Sequence, residues 1–321
     1  MPLSGPLRVG LFPTSGAIAE NLQIGRSRVI DQITTHALGG ETQLLAEDRH
    51  LGKSSVLLAM VNRALREPED GRLVLSVDLR DGITSSRKLA QLLLTQASQQ
   101  KAGLKIAALA RRGALAHLGQ PAREGLAKAA DLFDLQDEAA AVEAITQALN
   151  LRDGATLDSA LRALDARGHA TNARTVIALD EAQELATWSD SNAVQHCLAA
   201  TIKRVDSTVA FVFSGSEKHT LVALFETPEA PLHGLGIRRS LPPISRDDWL
   251  AGLRDRYAQA GIAIGVDTIH KILYYSQELP LPTMLICQHT LDWLEQDQVT
   301  MATVEQAVND ARRHPSWDLP A

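Results

Sequence analysis

The stretch that decides the fold is residues 43–55, which read QLLAEDRHLGKSS. A short apolar run, residues 42–46, is followed a few residues later by Gly-Lys-Ser-Ser and then by an amphipathic pattern from Ser54 to Leu65. A Gly-Lys-Ser sequence between a buried strand and a helix is typical of a phosphate-binding loop. The glycine lets backbone amides close on an anion, and the lysine neutralises phosphate oxygens. The stretch therefore predicts a strand, a phosphate loop and a helix.

One position of this loop departs from the usual pattern. Glu47 stands where the first glycine is expected, and Asp48 adds a second carboxylate. Carboxylates beside a polyphosphate are electrostatically unfavourable, although Arg49 and His50 offset them in part. Because a Gly-Lys-Ser tripeptide is also common by chance, the loop needs support from elsewhere in the chain.

Four short apolar runs predict the strands of one sheet. They contain almost no alternation of polar and apolar residues, which indicates strands covered on both faces, as in parallel α/β sheets. Helical patterns lie between them, so the sequence predicts a doubly wound, three-layer α/β fold. The runs are residues 42–46, 73–79, 175–179 and 209–213.

Polar residues follow two of these strands. Asp180 and Glu181 come directly after the third run, where an aspartate can hold the shell of a Mg²⁺ ion and a glutamate can polarise an attacking water. Ser214 follows the fourth run. If this strand lies between the phosphate-loop strand and the acidic strand, a polar side chain here contacts the γ-phosphate of a bound nucleotide or the attacking water. Capping of the next helix and an ordinary turn are the structural alternatives for these residues.

The sequence predicts a loosely ordered lead-in at residues 1–20, a nucleotide-binding core at 21–243 and a small all-helical domain, here called the lid, at 244–321. A helical insertion is expected at about 87–172, with a basic first half and an acidic second half. This charge distribution is typical of solvated helix faces, and it also fits a contact surface for a polyanion or an acidic partner. Ser245, with Asp248 three residues on, resembles a capping box at the start of the lid.

Composition excludes several classes of protein. The chain has 321 residues, 45% of them hydrophobic and 22% charged, as in ordinary globular proteins, and its net charge of −6 gives no global attraction to nucleic acid. Its two cysteines, Cys197 and Cys287, lie in apolar helical patterns and are expected to be buried thiols rather than a disulfide or zinc ligands. No apolar run is long enough to span a membrane and no signal peptide is recognisable, so we expect a cytoplasmic protein.

Taken together, these segments resemble the archaeal-type ATPase family of AAA+ P-loop ATPases, which is related to origin-recognition and STAND ATPases. The resemblance covers about residues 21–310. The matching segments are an Ile24-Gly25-Arg26 box, the loop at residues 47–55, the Asp180-Glu181-Ala182-Gln183 box, the Ser214-Gly215-Ser216 strand end, and Pro231-Leu232-His233-Gly234 followed by Arg238 and Arg239.

The resemblance implies a three-layer P-loop core with a parallel sheet and a C-terminal all-helical lid. It further implies ATP and Mg²⁺ as cofactors. By the same resemblance, the expected nucleotide-binding residues are Ile24, Gly25, Arg26, Arg49, Gly52, Lys53, Ser54, Ser55, Arg238 and Arg239. Ser54 and Asp180 would hold the metal, and Glu181 and Ser214 would serve catalysis. The lid segment at residues 276–282 lacks the glycine of the family's turn.

Three functions follow as hypotheses. The first is an ATP-dependent switch with slow, Mg²⁺-dependent hydrolysis that binds ATP and ADP and passes its output to an unidentified protein partner or within a homo-oligomer. The second, motivated by Glu47, is a degenerate P-loop scaffold that binds nucleotide weakly without turnover. The third is a DNA-associated oligomeric ATPase of a transposition or defence system, for which the basic half of the insertion is the only support. None of the three involves a membrane.

Overall fold

The computed structural model describes residues 10–66, 72–100, 153–317 and 319. These residues divide into two compact units. The lid unit comprises the described residues within Met1–Ile30, Arg49–Leu58 and Leu241–Ala321, and the sheet unit comprises those within Asp31–Asp48 and Ala59–Ser240. None of the described helices has the length and apolar character needed to cross a bilayer.

The sheet unit is built on five parallel strands. In chain order they are β1 (Gln43–Ala46), β2 (Leu73–Asp78), β3 (Thr175–Asp180), β4 (Val209–Gly215) and β5 (Ile237–Arg238). Across the sheet the order is β2-β3-β4-β1-β5. Every residue of β1, β3 and β4 is buried, which is what their continuous apolar sequences predict.

The strand order confirms the expectation for β4, which lies between β1 and β3. In register, Leu179 of β3 pairs with Phe213 of β4, and Leu45 of β1 pairs with Ser214. Because all these strands are parallel, their carboxyl ends meet at one edge of the sheet. The residues after β1, β3 and β4 therefore begin side by side.

In the described part of residues 10–240, six α-helices alternate with the strands, as the doubly wound pattern requires. They are α1 (Ser27–Leu38), α2 (Lys53–Arg66), α3 (Ser86–Gln99), α4 (Asp153–Thr171), α5 (Ser191–Lys203) and α6 (Lys218–Glu226). One hydrophobic core joins strand residues such as Leu75 and Phe211 to helix residues such as Leu93, Leu161 and Leu198. The predicted parallel α/β fold is confirmed.

The lid unit contains four helices in its C-terminal part, as expected. They are α7 (Arg246–Gln259), α8 (Val266–Ser276), α9 (Pro280–Thr290) and α10 (Met301–Ala311), with a short parallel pair β6 (Ala263–Ile264) and β7 (Gln298–Val299). Ser245 caps α7, since its hydroxyl accepts a hydrogen bond from the Asp248 N–H at 3.1 Å. A capping box, with both reciprocal bonds, starts α10 at Thr300.

The N-terminal segment also contributes to the lid unit. The Phe12 side chain is 1% exposed and lies in the core of the lid helices, with its ring centroid 4.7 Å from that of Tyr257. At this residue the structure differs from the loose lead-in expected for residues 1–20, because an aromatic ring that finds an apolar cavity leaves water even when its neighbours are Gly, Pro and Ser. The domain boundaries at residues 20 and 243 stay predictions.

Two further expectations meet the structure only in part. Helix α3 and helix α4 occupy the ends of the expected insertion at residues 87–172, whereas residues 101–152, with all the basic and acidic residues that made its charge uneven, lie outside the described residues. Helix α2 begins at Lys53, one residue before the predicted start at Ser54.

Candidate functional site

Residues 49–55 of the candidate phosphate loop belong to the lid unit. Gly52 has a φ of 84°, in the left-handed region that glycine adopts without strain. The chain then enters α2 at Lys53, whose side chain is only 5% exposed, which is uncommon for a lysine. The first N–H groups of a helix have no partners within the helix and carry a partial positive charge, so the start of α2 favours a phosphate.

Residues from the N-terminal segment bond to this loop. The Ser55 hydroxyl accepts a hydrogen bond from the Ile18 N–H at 3.1 Å, and the Ser55 carbonyl accepts one from the Gln23 side chain at 2.7 Å. Ser55, expected from the resemblance to contact nucleotide, therefore uses its hydroxyl to tie α2 to residues 18–23. Gln23 was not among the expected site residues.

Arg26 connects the loop to the start of the C-terminal stretch of the lid unit, Leu241–Ala321. Its guanidinium donates to the Pro242 carbonyl at 2.5 Å and to the Leu51 carbonyl at 3.1 Å, and the side chain is buried. Burial lowers the pKa of this guanidinium. The structure thus shows Arg26 fixing the backbone just before Gly52.

Gly25 is required at its position for two reasons. Its φ is 64°, and a β-carbon there would lie 2.8 Å from the Ile244 side chain. The adjacent Ile24 packs so closely on α7 that a β-carbon on Gly252 would lie 2.7 Å from it. The Ile24-Gly25-Arg26 box therefore sits against the start of the lid.

In the sheet unit, the candidate metal ligand and the candidate base occupy the carboxyl end of β3. Asp180 is the last residue of the strand and is 8% exposed, and one of its carboxylate oxygens accepts the Glu181 N–H at 3.0 Å. Glu181 has a φ of 51°, a left-handed conformation that costs a non-glycine residue about 1 kcal/mol or more. Ser214 lies at the same edge on the adjacent strand β4.

The Glu181 carboxylate is bonded on both oxygens. One accepts from the Ser216 hydroxyl at 2.7 Å and from the Gln183 side chain at 2.5 Å, and the other forms an ion pair with Arg80 at 3.0 Å. Burial alone would raise the pKa of this carboxyl group, but the hydrogen bonds and the Arg80 charge outweigh it and lower the pKa. A base with a lowered pKa has less driving force to take a proton.

Arg80 is the residue of this cluster that sequence reasoning missed. It follows β2, and its backbone N–H bonds to the Asp78 carboxylate at 2.9 Å. Burial lowers the pKa of its guanidinium, but the charges of Glu181 and Asp78 outweigh this and raise it. The only sequence signal for Arg80 was its position after the carboxyl end of a predicted strand. Its contact with Glu181 joins segments about a hundred residues apart, and no local pattern predicts such a contact.

Ser214 has an unused polar atom in its side chain. Its side chain is 0% exposed, and within the described part of the chain its hydroxyl has no hydrogen-bond partner. A buried hydroxyl without a partner loses its hydration at a cost of about 1–3 kcal/mol. Such an atom at the carboxyl edge of the sheet can receive or donate a hydrogen bond when a ligand is present.

The structure does not bring Arg238 and Arg239 to the carboxyl edge. Arg238 lies on the exposed edge strand β5 and pairs with Glu226 at 3.2 Å. Arg239 pairs with Glu41 at 3.1 Å and with the Gln43 side chain at 3.1 Å, both at the amino end of β1. Within the sheet unit, Arg239 is thus at the opposite end of β1 from the Asp180 edge.

Comparisons with solved structures identify the fold. The chain is similar to the Walker-type ATPase PABY2304 of Pyrococcus abyssi, with a TM-score of 0.63 and 15% identity over 94% of this chain and 75% of that one. It is also similar to the ORC2 protein of Aeropyrum pernix, with a TM-score of 0.60 and 11% identity over 94% and 71% of the chains. The ORC1 protein of Aeropyrum pernix, solved in complex with DNA, gives a TM-score of 0.56 and 13% identity over 96% and 69%.

These similarities show an AAA+ P-loop fold with a helical C-terminal region, which the sequence predicts. The likeness in fold to the Walker-type ATPase of Pyrococcus abyssi and to the ORC1 protein of Aeropyrum pernix agrees with the resemblance seen in the motifs. No known family profile and no curated protein matches the sequence itself.

Proposed function

We propose that this chain is an ATP-binding protein of the archaeal-type AAA+ ATPases that acts as a Mg²⁺-dependent switch with slow hydrolysis. The observation that carries the proposal is the placement of Asp180 and Glu181 at the carboxyl end of β3. That end is separated only by β4 from β1, the strand that leads into Gly52-Lys53-Ser54. The AAA+ fold of the chain supports the same reading.

Each part of the loop has a defined role in this proposal. The backbone amides after Gly52 and the Lys53 ammonium bind the β- and γ-phosphates, with Arg49 adding positive charge. Ile24, Gly25 and Arg26 lie near the adenine, by the resemblance to the family. Ser55 supports the loop through its bond to Ile18.

The oxygen ligands available suit Mg²⁺. Among the described residues no group of three His, Cys, Asp or Glu side chains could form an all-protein metal cage. Mg²⁺ is usually bound by one or two protein oxygens together with water and substrate phosphates, and the Ser54 hydroxyl and the Asp180 carboxylate match that need. When bound, the ion neutralises charge on the phosphate oxygens.

Hydrolysis then requires a base and a group that orients the reacting atoms. Glu181 accepts a proton from the water whose oxygen attacks the γ-phosphorus, and the bond to the β–γ bridging oxygen breaks to give ADP and phosphate. The Ser214 hydroxyl supplies a hydrogen bond to the γ-phosphate or the water. Because Ser216, Gln183 and Arg80 already occupy the Glu181 carboxylate, we expect turnover to be slow.

The first test measures binding. We expect the wild type to bind a fluorescent ATP analogue in the presence of Mg²⁺, and Lys53→Ala to lose at least about tenfold in affinity, because a charge-assisted contact to phosphate is worth about 1.5–3 kcal/mol. Lys203→Ala, at the exposed end of α5, is the matched control and should bind as the wild type does. Equal binding by Lys53→Ala would contradict the proposal.

The second test measures turnover by phosphate release. Glu181→Gln should keep nucleotide affinity and lose hydrolysis by about a hundredfold or more, the usual contribution of a general base. Glu184→Gln changes the same functional group three residues further on and serves as the control. Hydrolysis that persists in Glu181→Gln at the wild-type rate would exclude Glu181 as the base.

Two observations favour the scaffold alternative: both oxygens of the Glu181 carboxylate are engaged, and Glu47 stands where the first glycine of the loop is expected. A protein of that kind would bind ATP or ADP weakly or not at all, and calorimetry that shows no binding at millimolar nucleotide would select it. The same titration therefore separates the scaffold from the switch.

Association with DNA and with further copies of the chain are secondary proposals. The DNA-bound state of the Aeropyrum pernix ORC1 protein supports testing duplex DNA in the presence of ATP. Phosphate contacts make such binding fall steeply with salt, so salt-insensitive or absent binding would exclude it. In an oligomer, Arg238 on the exposed strand β5 is the arginine we propose to reach the nucleotide of a neighbouring copy, rather than Arg239.

A further inference from the structure

The β2 edge of the sheet carries an unusual set of hydrogen bonds. In the part of the chain that the structure describes, β2 has a strand on one side only, namely β3. Alternate residues of β2 direct their backbone groups towards β3, as shown by the Leu73 N–H bond to Arg174 and the Leu79 N–H bond to Asp180. The N–H and C=O groups of Val74 and Ser76 therefore point away from the sheet.

Two glutamines, Gln96 of α3 and Gln100 directly after it, bond to these outward groups. The Gln96 side chain accepts the Ser76 N–H at 2.9 Å and donates to the Ser76 carbonyl at 2.7 Å. The Gln100 side chain accepts the Val74 N–H at 3.2 Å and donates to the Val74 carbonyl at 2.6 Å. Each amide thus bonds to both backbone groups of one residue, as an opposing residue of a neighbouring antiparallel strand would.

The match follows from the dimensions of helices and strands. Gln96 and Gln100 are four residues apart, about 6 Å along a helix axis, and Val74 and Ser76 are two residues apart, about 6.6 Å along a strand. Gln100, the residue after α3, continues the line of the helix, because its N–H donates to the Gln96 carbonyl at 3.2 Å. Two successive helical turns can therefore serve two successive outward positions of β2.

We propose that Gln96 and Gln100 form an edge guard, which blocks the pairing of β2 with the β2 strand of a second copy of this chain. Residues 73–77 read LVLSV, without charge, proline or glycine. Without a guard, an edge strand of this composition is prone to pair with a strand of another chain. A second copy is the natural partner because antiparallel pairing by a two-fold rotation exchanges the same N–H and C=O groups in both directions. The guard leaves other surfaces of the protein available for assembly.

The decisive experiment uses the full chain with Gln96→Leu and Gln100→Leu together. Leucine keeps the helix propensity and similar bulk but cannot bond to the strand. We expect concentration-dependent association beyond that of the wild type in analytical ultracentrifugation, and reversal when Ser76→Pro removes an outward N–H that makes no bond to β3. Gln91→Leu adds the same apolar surface to α3 at a residue that does not bond to Val74 or Ser76, and should behave as the wild type does.

Two results would overturn the proposal. One is a folded double variant that associates no more than the wild type. The other is association that Ser76→Pro leaves unchanged, which would attribute it to the added leucine surface.

Amide hydrogen exchange keeps the proposal testable if the double variant fails to fold. In the wild type the Ser76 N–H should be protected to an extent similar to that of Leu75. In Gln96→Leu alone it should exchange at least about fivefold faster, the factor expected for one lost hydrogen bond. Unprotected Val74 and Ser76 amides in the wild type would also contradict the edge guard.

Discussion

Glu181 has a left-handed backbone conformation, and donors from three other residues contact its carboxylate. Ser216 follows β4, Arg80 follows β2 and Gln183 lies two residues on in the short helical turn after β3. Each of these is positioned by a strand end at the same edge of the sheet. The chemistry of a single side chain thus depends on where three strands stop.

A change at Arg80 should be visible in the pH dependence of hydrolysis. Arg80 lowers the pKa of Glu181, and the basic form of a carboxyl group exists above its pKa. Arg80→Gln removes the positive charge, so the pKa rises and the acidic limb of the kcat profile moves to higher pH. Arg87→Gln, an exposed arginine at the start of α3, is the control. An unshifted profile would show that Arg80 does not act through Glu181.

At the scale of elements, Asp165 joins α4 to the segment that enters β4. Its side chain is 3% exposed, and one oxygen accepts the Thr208 N–H at 2.7 Å and the Thr208 hydroxyl at 3.0 Å, while the other pairs with Arg204. Burial alone would raise the pKa of this carboxyl group, but the Thr208 and Arg204 contacts outweigh it and lower the pKa. Such a carboxylate stabilises the fold only while it is ionised.

We expect Asp165→Asn to lower the free energy of unfolding by about 2 kcal/mol at neutral pH, because it removes a buried charge partner and its hydrogen bonds. Since the folded-state pKa lies below the ordinary value of 3.8, the stabilisation is complete above that pH and is lost as the pH falls through the folded-state pKa. Urea unfolding at several pH values measures both effects.

The control for this prediction lies on the same helix. Asp158 forms an ion pair with Arg162 one turn away at 2.7 Å, and both side chains are partly exposed. Asp158→Asn should cost no more than about 0.5 kcal/mol, as for other exposed helix pairs. Equal losses in the two variants would show that the Thr208 contacts add nothing to the stability of the fold.

At the scale of the whole molecule, the lid unit is assembled from three separate stretches of chain. Phe12 is the residue that commits the N-terminal stretch to the core of the lid helices, beside Tyr257 and Trp249. An aromatic core residue contributed from far away in sequence makes the stability of the lid depend on the start of the described chain.

Phe12→Ala should therefore lower the free energy of unfolding by about 3 kcal/mol, the usual cost of removing a buried aromatic ring. Limited proteolysis should then cleave the lid segment, residues 241–317, more rapidly than in the wild type. Leu11→Ala, at a residue only partly buried against the same core, should cost less. If Phe12→Ala unfolds like the wild type, the N-terminal stretch is not part of the lid core.

The sequence by itself determined the buried strands, their alternation with helices, the glycine of the loop and the Asp180-Glu181 pair, because hydrophobic period, turn residues and strand-end polarity are local properties. It also determined the cap at Ser245, which needs only residues three apart. Glu47 remains the local feature that most directly challenges nucleotide binding.

Only the tertiary structure decided that Arg80 pairs with Glu181 and that Arg239 bonds at the amino end of β1. It also decided that Phe12 enters the lid core and that Gln96 and Gln100 bond to the β2 edge. Each of these contacts joins residues that are not neighbours in sequence. Their partners are set by strand order and helix placement, and no local pattern of residue types encodes that geometry.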